Sequence, residues 1–249
     1  MSQLKFDFQE MADEIRAFSG IADRFVAPAS KNVLSRFAGE LETYRNSNNR
    51  GEFDWKIEEA VPLRTIATTE YEPGGGGAQD IVGEITSIWS IKKVPTERQN
   101  IRARYFKLVG KASTRIRLKR VDDDGQPTDQ IAMWRMEIAD SKAPGCFFHG
   151  QVLGEIAEPP FPSSLPIPRL PVIVATPIAA AEFIFAELFQ DSWAPHVAQQ
   201  VPHIGQWANT QRSRFKKLLK WKLETIESAT NGSPWAALKS SQPSEDLFL

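Results

Sequence analysis

The segment from Arg102 to Val121 alternates apolar and cationic side chains, and this alternation limits the fold more than any other feature of the sequence. Successive side chains of a strand point to opposite faces of a sheet, so we predict a long strand with one core face and one cationic face. The core face would hold Phe106, Leu108, Ala112, Ile116 and Leu118, and the cationic face would hold Lys107, Lys111, Ser113, Arg115, Arg117 and Lys119.

A second alternating segment, from Ile131 to Asp140, follows turn-forming residues at 122–128. Its apolar face would hold Ala132, Trp134, Met136 and Ile138, and its opposite face Arg135 and Glu137. Two alternating segments joined by a turn predict a long antiparallel hairpin. Shorter β-branched and aromatic runs at 53–58, 61–71, 81–91 and 146–153 predict further strands.

Helical periodicity characterises both ends of the chain. One stripe predicts a helix over about 7–26, and it consists of Phe8, Met11, Ile15, Phe18, Ala22 and Phe25. A second helix is predicted from an N-cap at Ser30 to about Arg45. Later helices are predicted at 177–190, with Thr176 as N-cap, and at 205–228. In the last of these we expect five residues to face the protein: Trp207, Phe215, Leu218, Leu219 and Ile226.

Helices followed by strands and then by helices predict an α+β fold, with an N-terminal helical hairpin, a central antiparallel sheet and C-terminal helices packed on the sheet. We expect three regions: the helical hairpin at 1–48, the α+β domain at 49–228 and a loose tail at 229–249. Trp235 and the final Leu-Phe-Leu of that tail are candidates for a short anchor.

Composition excludes several classes of protein. The single cysteine, Cys146, rules out an intrachain disulfide and favours a reducing compartment, so we expect a cytoplasmic protein of bacterial type. The longest apolar run, at 170–181, contains prolines and is too short to span a membrane, so we expect no membrane contact. The motifs of nucleotide-binding loops, serine hydrolases and zinc proteases are absent, and we predict neither a cofactor nor a bound metal.

The near-neutral total charge hides a strongly basic segment. Residues 92–120 contain eleven Lys or Arg and one acid, Glu97. Cations that alternate along a strand, together with a basic helix at 205–228, favour a surface that binds a polyanion, above all nucleic acid. The candidate contacts are Arg104, Lys107, Lys111, Arg115, Arg117, Lys119, Arg212, Arg214, Lys216, Lys217 and Lys220. In the alternative interpretation, these charges are solvated or neutralised by acids at 1–60 and 122–129.

A second cluster suggests catalysis. Asp140-Ser141-Lys142 matches half of a metal-dependent nuclease motif, with Glu137 as a further acid and Mg²⁺ as the metal. His149 is a candidate general base in a phosphodiesterase that needs no metal. Cys146 and His149 should not form a nucleophile pair, because residues three apart on a strand point to opposite faces. We expect Cys146 to be buried and His149 to be partly exposed.

The leading hypothesis is therefore a non-enzymatic accessory subunit that contacts a polyanion within a larger assembly. The first alternative is a phosphodiesterase or nuclease that uses Glu137, Asp140, Lys142 and His149. The second is a protein-interaction subunit whose N-terminal helices bind a protein partner or form a homo-oligomer.

Overall fold

The computed structural model describes residues 3–72, 79–95, 102–139, 146–152, 170–199, 201–229 and 232–249. Its strands are β1 (Lys5–Asp7), β2 (Phe53–Ile57), β3 (Leu63–Arg64), β4 (Ile81–Lys93), β5 (Tyr105–Val121), β6 (Pro127–Ile138), β7 (Phe148–Val152) and β8 (Leu170–Pro171). Its α-helices are α1 (Phe8–Ala22), α2 (Val33–Asn46), α3 (Pro177–Leu188), α4 (Trp193–Val197), α5 (Pro202–Glu227) and α6 (Pro234–Ser240). The predicted α+β class is confirmed.

The described strands form one antiparallel sheet in the order β2-β4-β5-β6-β7-β8. β3 pairs with β4, and β1 pairs with the first residues of β5, where Lys5 lies opposite Lys107. The predicted hairpin is β5–β6, with Ile116 opposite Trp134. Its turn is closed by Asp122, whose carboxylate accepts hydrogen bonds from the backbone of Asp124 and Gln126.

The helices cover one face of the sheet, here called the inner face. The core residues of β4 and β5, among them Ile85, Trp89 and Ile116, share one hydrophobic cluster with residues of α1, α2, α3 and α5. Gly83 permits the closest approach of a helix, because a Cβ there would lie 2.8 Å from the Cγ2 of Ile184 in α3. The opposite face, here called the outer face, carries the polar side chains of the same strands.

The N-terminal helices belong to this shared core. All six residues of the predicted stripe are buried. Phe37 of α2 stacks on Trp55 of β2 with ring centroids 3.9 Å apart. The predicted boundary between the helical hairpin (1–48) and the α+β domain (49–228) stays a prediction. Residues on both sides of it belong to the same hydrophobic core.

Some predicted details are wrong. Ser30 does not cap α2, because its hydroxyl donates to the carbonyl of Pro62 and accepts from the amide of Arg64. In α5, Leu219 and Ile226 face solvent, with 50% and 37% of their surfaces exposed. No helix in the described ranges combines the length and the apolar character that crossing a bilayer requires.

The described part of the tail contains α6 and a docked end. Phe248 is buried and stacks on Phe6 of β1, with ring centroids 5.4 Å apart. Trp235 of α6 is 45% exposed. The final Leu-Phe-Leu therefore provides the anchor, and Trp235 does not.

Candidate functional site

The outer face of the sheet brings together the two groups that the sequence suggested. Ser113 of β5 lies opposite Glu137 of β6, which lies opposite His149 of β7. Side chains that share a register row point to the same face. The strand cations and the acid–histidine cluster are therefore neighbours on one surface.

Glu59, in the loop after β2, bridges two of the predicted cations. Its Oε1 accepts hydrogen bonds from Arg115 Nη1 at 2.6 Å and from Arg117 Nη2 at 2.9 Å. The side chain of Glu59 is 64% exposed, whereas those of Arg115 and Arg117 are 24% and 16% exposed. The hydrogen bond from Arg117 lowers the pKa of Glu59, so this carboxylate is ionised at neutral pH.

Glu84 of β4 holds a second pair of cations. Lys119 Nζ lies 2.8 Å from its Oε2, and Arg64 Nη2 donates to its Oε1 at 2.8 Å. Burial alone would raise the pKa of Glu84, but the hydrogen bonds from Lys119 and Arg64 outweigh it and lower this pKa. Both cations are thus bound to one carboxylate within the sheet, which offsets one of their two charges.

A cavity of about 410 Å³ lies over β4 and β5 beside Glu59. Its polar lining includes Lys56, Glu58, Glu59, Lys111, Ser113 and Arg115. Lys56 forms an ion pair with Glu58 at 3.1 Å. Lys111 is exposed and forms no direct hydrogen bond or ion pair with another described residue, although its charge helps to lower the pKa of Glu59. The cavity therefore offers two cations: the ammonium group of Lys111, without a direct contact in the described structure, and the guanidinium of Arg115, which the exposed carboxylate of Glu59 holds.

Three lysines lie side by side where β1 joins the sheet. Lys107 of β5 is opposite Lys5 on one side and opposite Lys92 of β4 on the other. Lys5 pairs with Glu245 and Asp246, both at 3.1 Å, and Lys107 Nζ donates to Gln3 at 3.3 Å. Like charges in direct opposition destabilise a sheet unless an anion neutralises them.

Arg104 is the remaining predicted contact near this end. Its Nε lies 3.0 Å from Asp7 Oδ2, and its side chain is 70% exposed.

The basic residues of α5 do not share the outer face, because α5 lies in the helical layer over the inner face. Arg214 is buried and paired with Glu10 and Glu14, so it is inaccessible to a ligand. Lys217 Nζ donates to the carbonyl of Leu249, and Arg212 to the side chain of Asn209. Lys216 and Lys220 are exposed. The two basic segments therefore form separate surfaces.

The described part of the acid–histidine cluster is a buried set of close charged and polar contacts. His149 Nδ1 lies 2.9 Å from the carbonyl oxygen of Cys146, and its Nε2 lies 3.3 Å from Glu137 Oε2. The Nε2 of His149 and the Nε of Arg135 are buried and form no hydrogen bond with a described residue. Arg135 contacts Glu137 at 3.1 Å and donates to Gln151 at 2.8 Å. Both ring nitrogens of His149 thus face oxygen atoms of the protein, and the ring is buried rather than partly exposed.

Asp140 and Lys142 lie outside the described residues. Cys146 is buried, and burial raises the pKa of its thiol, which disfavours the reactive thiolate. His149 contacts the carbonyl of Cys146 rather than its sulfur. Within the described ranges, no group of three or more His, Cys, Asp or Glu residues could hold a metal ion.

The alternative interpretation of the sequence, neutralisation by acids at 1–60, applies to part of the predicted set, because Glu59 binds Arg115 and Arg117 and Asp7 binds Arg104. The sequence did not single out Glu59, and it did not identify Glu84 as a counter-ion. Both acids come from elements far from β5 in sequence, and only the pairing of β4 with β5 brings Glu84 opposite Arg117. Comparison of the chain with protein-family models, with curated proteins and with solved structures gives no match.

Proposed function

We propose that this protein is a non-enzymatic accessory subunit that binds the phosphate backbone of nucleic acid through the outer face of β4 and β5, within a larger cytoplasmic assembly. The observation that carries the proposal is the cavity beside Glu59, where Lys111 makes no direct contact with a described carboxylate and Arg115 is held by an exposed acid. Lys92 and Lys107 continue the basic surface towards β1, where Lys5 is paired with Glu245 and Asp246.

Phosphate chemistry suits this arrangement. Guanidinium groups bind phosphate oxygens through two parallel hydrogen bonds, and an ammonium group adds a point charge. Arg115 and Arg117 already present their Nη atoms to one carboxylate oxygen, so a phosphate oxygen could replace Glu59 without moving the strand. Ser113, which lines the same cavity, supplies a hydroxyl donor.

The α5 cations do not contribute to this surface. The proposed binding surface is therefore limited to the outer face of the sheet and does not include the buried Arg214. A surface of this size contacts few phosphates, so binding should be moderate and should weaken as salt concentration rises.

The test is fluorescence anisotropy of labelled single- and double-stranded DNA and RNA, titrated at several salt concentrations with and without Mg²⁺. We expect Lys111→Glu to raise the Kd about tenfold and to reduce the salt slope by about one. The matched control is Lys31→Glu, the same change at an exposed lysine whose partner, Asp23, lies in the helical layer. Absence of binding at low salt, or equal effects of the two variants, would contradict the proposal.

The same titration examines the catalytic alternative, since the labelled strands are checked for cleavage. Cleavage that disappears in His149→Ala would favour a nuclease that uses Glu137 and His149. In the present geometry His149 has no ring nitrogen directed at open space, so we expect intact strands.

A further inference from the structure

Helix α5 presents an apolar stripe that the other described residues leave uncovered. Leu219 is 50% exposed, Leu223 is 55% exposed and Ile226 is 37% exposed. Their spacing of four and then three residues places them on one face of the helix. The same helix buries Trp207 and Leu218 in the core, so the stripe is additional to the face that packs. An exposed apolar patch of this kind marks an interaction surface.

The segment that follows β8 widens this patch. Ile173 is 46% exposed and lines the same small cavity as Phe215 of α5. Lys222 Nζ donates to the carbonyl of Val172 at 2.9 Å, which fixes this segment along the helix. The apolar surface therefore spans two elements.

Two charges of opposite sign border the stripe. Lys216 and Glu227 lie at its two ends, and both are exposed. With about 100° between successive residues of a helix, both fall on the same side of Leu223 and within roughly 40° of it around the helix axis. Lys220 and Glu224 lie farther round the helix, about 60° and 100° from Leu223, and are turned away from the stripe. The border is thus positive at one end and negative at the other, over roughly 16 Å of helix.

We propose that this surface binds a second copy of the chain, with the two α5 helices antiparallel about a two-fold axis close to Trp221. In an antiparallel pair related by a two-fold axis, the charged side of one helix lies beside the charged side of the other. Lys216 then faces Glu227 of the partner subunit. A two-fold axis makes each contact twice, so the surface is self-complementary.

The opposite orientation lacks this match. A parallel pair sets the charged border of one helix against the apolar side of the other, which leaves the charges without partners. Within one chain, Lys220 and Glu224 pair with each other at 3.6 Å. Lys216 and Glu227 form no ion pair with another described residue, so both are available to the partner subunit.

This dimer does not rest on the proposed binding of nucleic acid. α5 lies in the helical layer, and the cavity beside Glu59 lies on the outer face of the sheet. The two surfaces are therefore separate and can be tested independently.

The experiment is sedimentation equilibrium of the full chain from low to high micromolar concentration. We expect a reversible dimer, and we expect Ile226→Glu to raise the dimer Kd at least about tenfold through the cost of burying a charge. Ile66→Glu is the matched control, because Ile66 is also 37% exposed but belongs to the segment after β3. It should leave the Kd unchanged. Circular dichroism confirms that each variant is folded.

A charge exchange tests the antiparallel orientation. Lys216→Glu should weaken the dimer by placing like charges together, and the double variant Lys216→Glu/Glu227→Lys should restore it to within about threefold of the wild-type Kd. A monomer at every concentration would overturn the proposal and leave the stripe to another partner. A dimer that tolerates Ile226→Glu as well as Ile66→Glu, or a double variant that stays as weak as Lys216→Glu, would also overturn it.

Discussion

Arg115 of β5 lies directly opposite Arg135 of β6 on the outer face of the sheet. Like charges in this position destabilise a strand pair. The two arginines contact different carboxylates: Glu59, which Arg117 shares, lies 2.6 Å from Arg115, and Glu137 lies 3.1 Å from Arg135. The sheet therefore tolerates the arginine pair through acids that lie on either side of it.

Removal of Glu59 should strengthen binding of a polyanion. In Glu59→Gln the guanidinium groups of Arg115 and Arg117 lose their internal carboxylate and become available to phosphate. We expect the Kd for labelled nucleic acid at low salt to fall about three- to tenfold, with little change in the free energy of unfolding, because exposed ion pairs contribute little.

The control is Glu42→Gln, which removes a carboxylate from a surface pair with Arg16 in the helical layer. An equal gain in affinity from Glu42→Gln would show that only net charge matters and that Glu59 has no specific role.

The stability of the protein should depend on Glu182 between pH 4.5 and pH 8. Burial, together with the negative charge of Glu14, raises the pKa of Glu182 from 4.5 to about 7. Between these values the folded protein keeps a proton that the unfolded chain has lost, so the free energy of unfolding falls as pH rises. The shift corresponds to a loss of about 3 kcal/mol by pH 8.

Urea unfolding at a series of pH values measures this effect. Glu182→Gln should match the wild type near pH 4.5 and exceed it by about 3 kcal/mol at pH 8. Glu187→Gln, an exposed change on the same helix, should leave the pH profile unchanged. Parallel profiles for the wild type and Glu182→Gln would contradict the assignment.

Arg214 should be essential to stability. It contacts Glu14, which is fully buried and also bound by Gln211, and it pairs with Glu10 at 2.8 Å. Arg214→Met leaves the carboxylate of Glu14 buried without its cation, and we expect a loss of roughly 3–5 kcal/mol in the free energy of unfolding. Chemical denaturation checks this value.

The double variant Glu14→Leu/Arg214→Met removes both charges and should recover most of that loss. A single variant that costs less than about 1 kcal/mol, or a double variant no better than the single, would disprove the buried ion pair as the cause.

The C-terminal anchor should depend on Phe248 and not on Trp235. Phe248 is buried between Phe6 and Phe148, with ring centroids 5.4 and 6.0 Å away. Phe248→Ala should cost roughly 3–5 kcal/mol in the free energy of unfolding. Trp235→Ala, at a half-exposed position, should cost far less. Thermal and chemical unfolding of both variants measure these losses, and an equal loss of stability in Phe248→Ala and Trp235→Ala would contradict the assigned anchor.

The sequence predicts well what depends on neighbouring residues. The alternation along β5 identifies its buried face, because a strand's side chains have a fixed period of two. Thr176 caps α3 as expected, with its hydroxyl accepting from the amide of Ala179. Prediction of these features does not require knowing which helices and strands contact each other in the fold.

The individual partners of the strand cations could not be predicted, because they depend on long-range pairing. Glu59 reaches Arg117 across 58 residues, and the choice among many acids is made by the sheet order. For the same reason, the sequence assigned Leu219 and Ile226 to the packed face of α5, and only the fold shows that the described residues leave them exposed. Of the catalytic candidates, Glu137 and His149 are brought together by the register of β6 and β7.

The contact between Phe6 and Phe248 has a consequence for the order of folding. It joins residues 242 positions apart, so the sheet must first bring β1 beside β5 before Phe248 has a surface to dock on. Phe6 stacks on Phe106 of β5 as well, with ring centroids 5.5 Å apart, so β1 can pack before Phe248 arrives. Docking of Phe248 therefore closes an aromatic cluster that β1 and β5 have already built, and we expect it to follow the pairing of these strands.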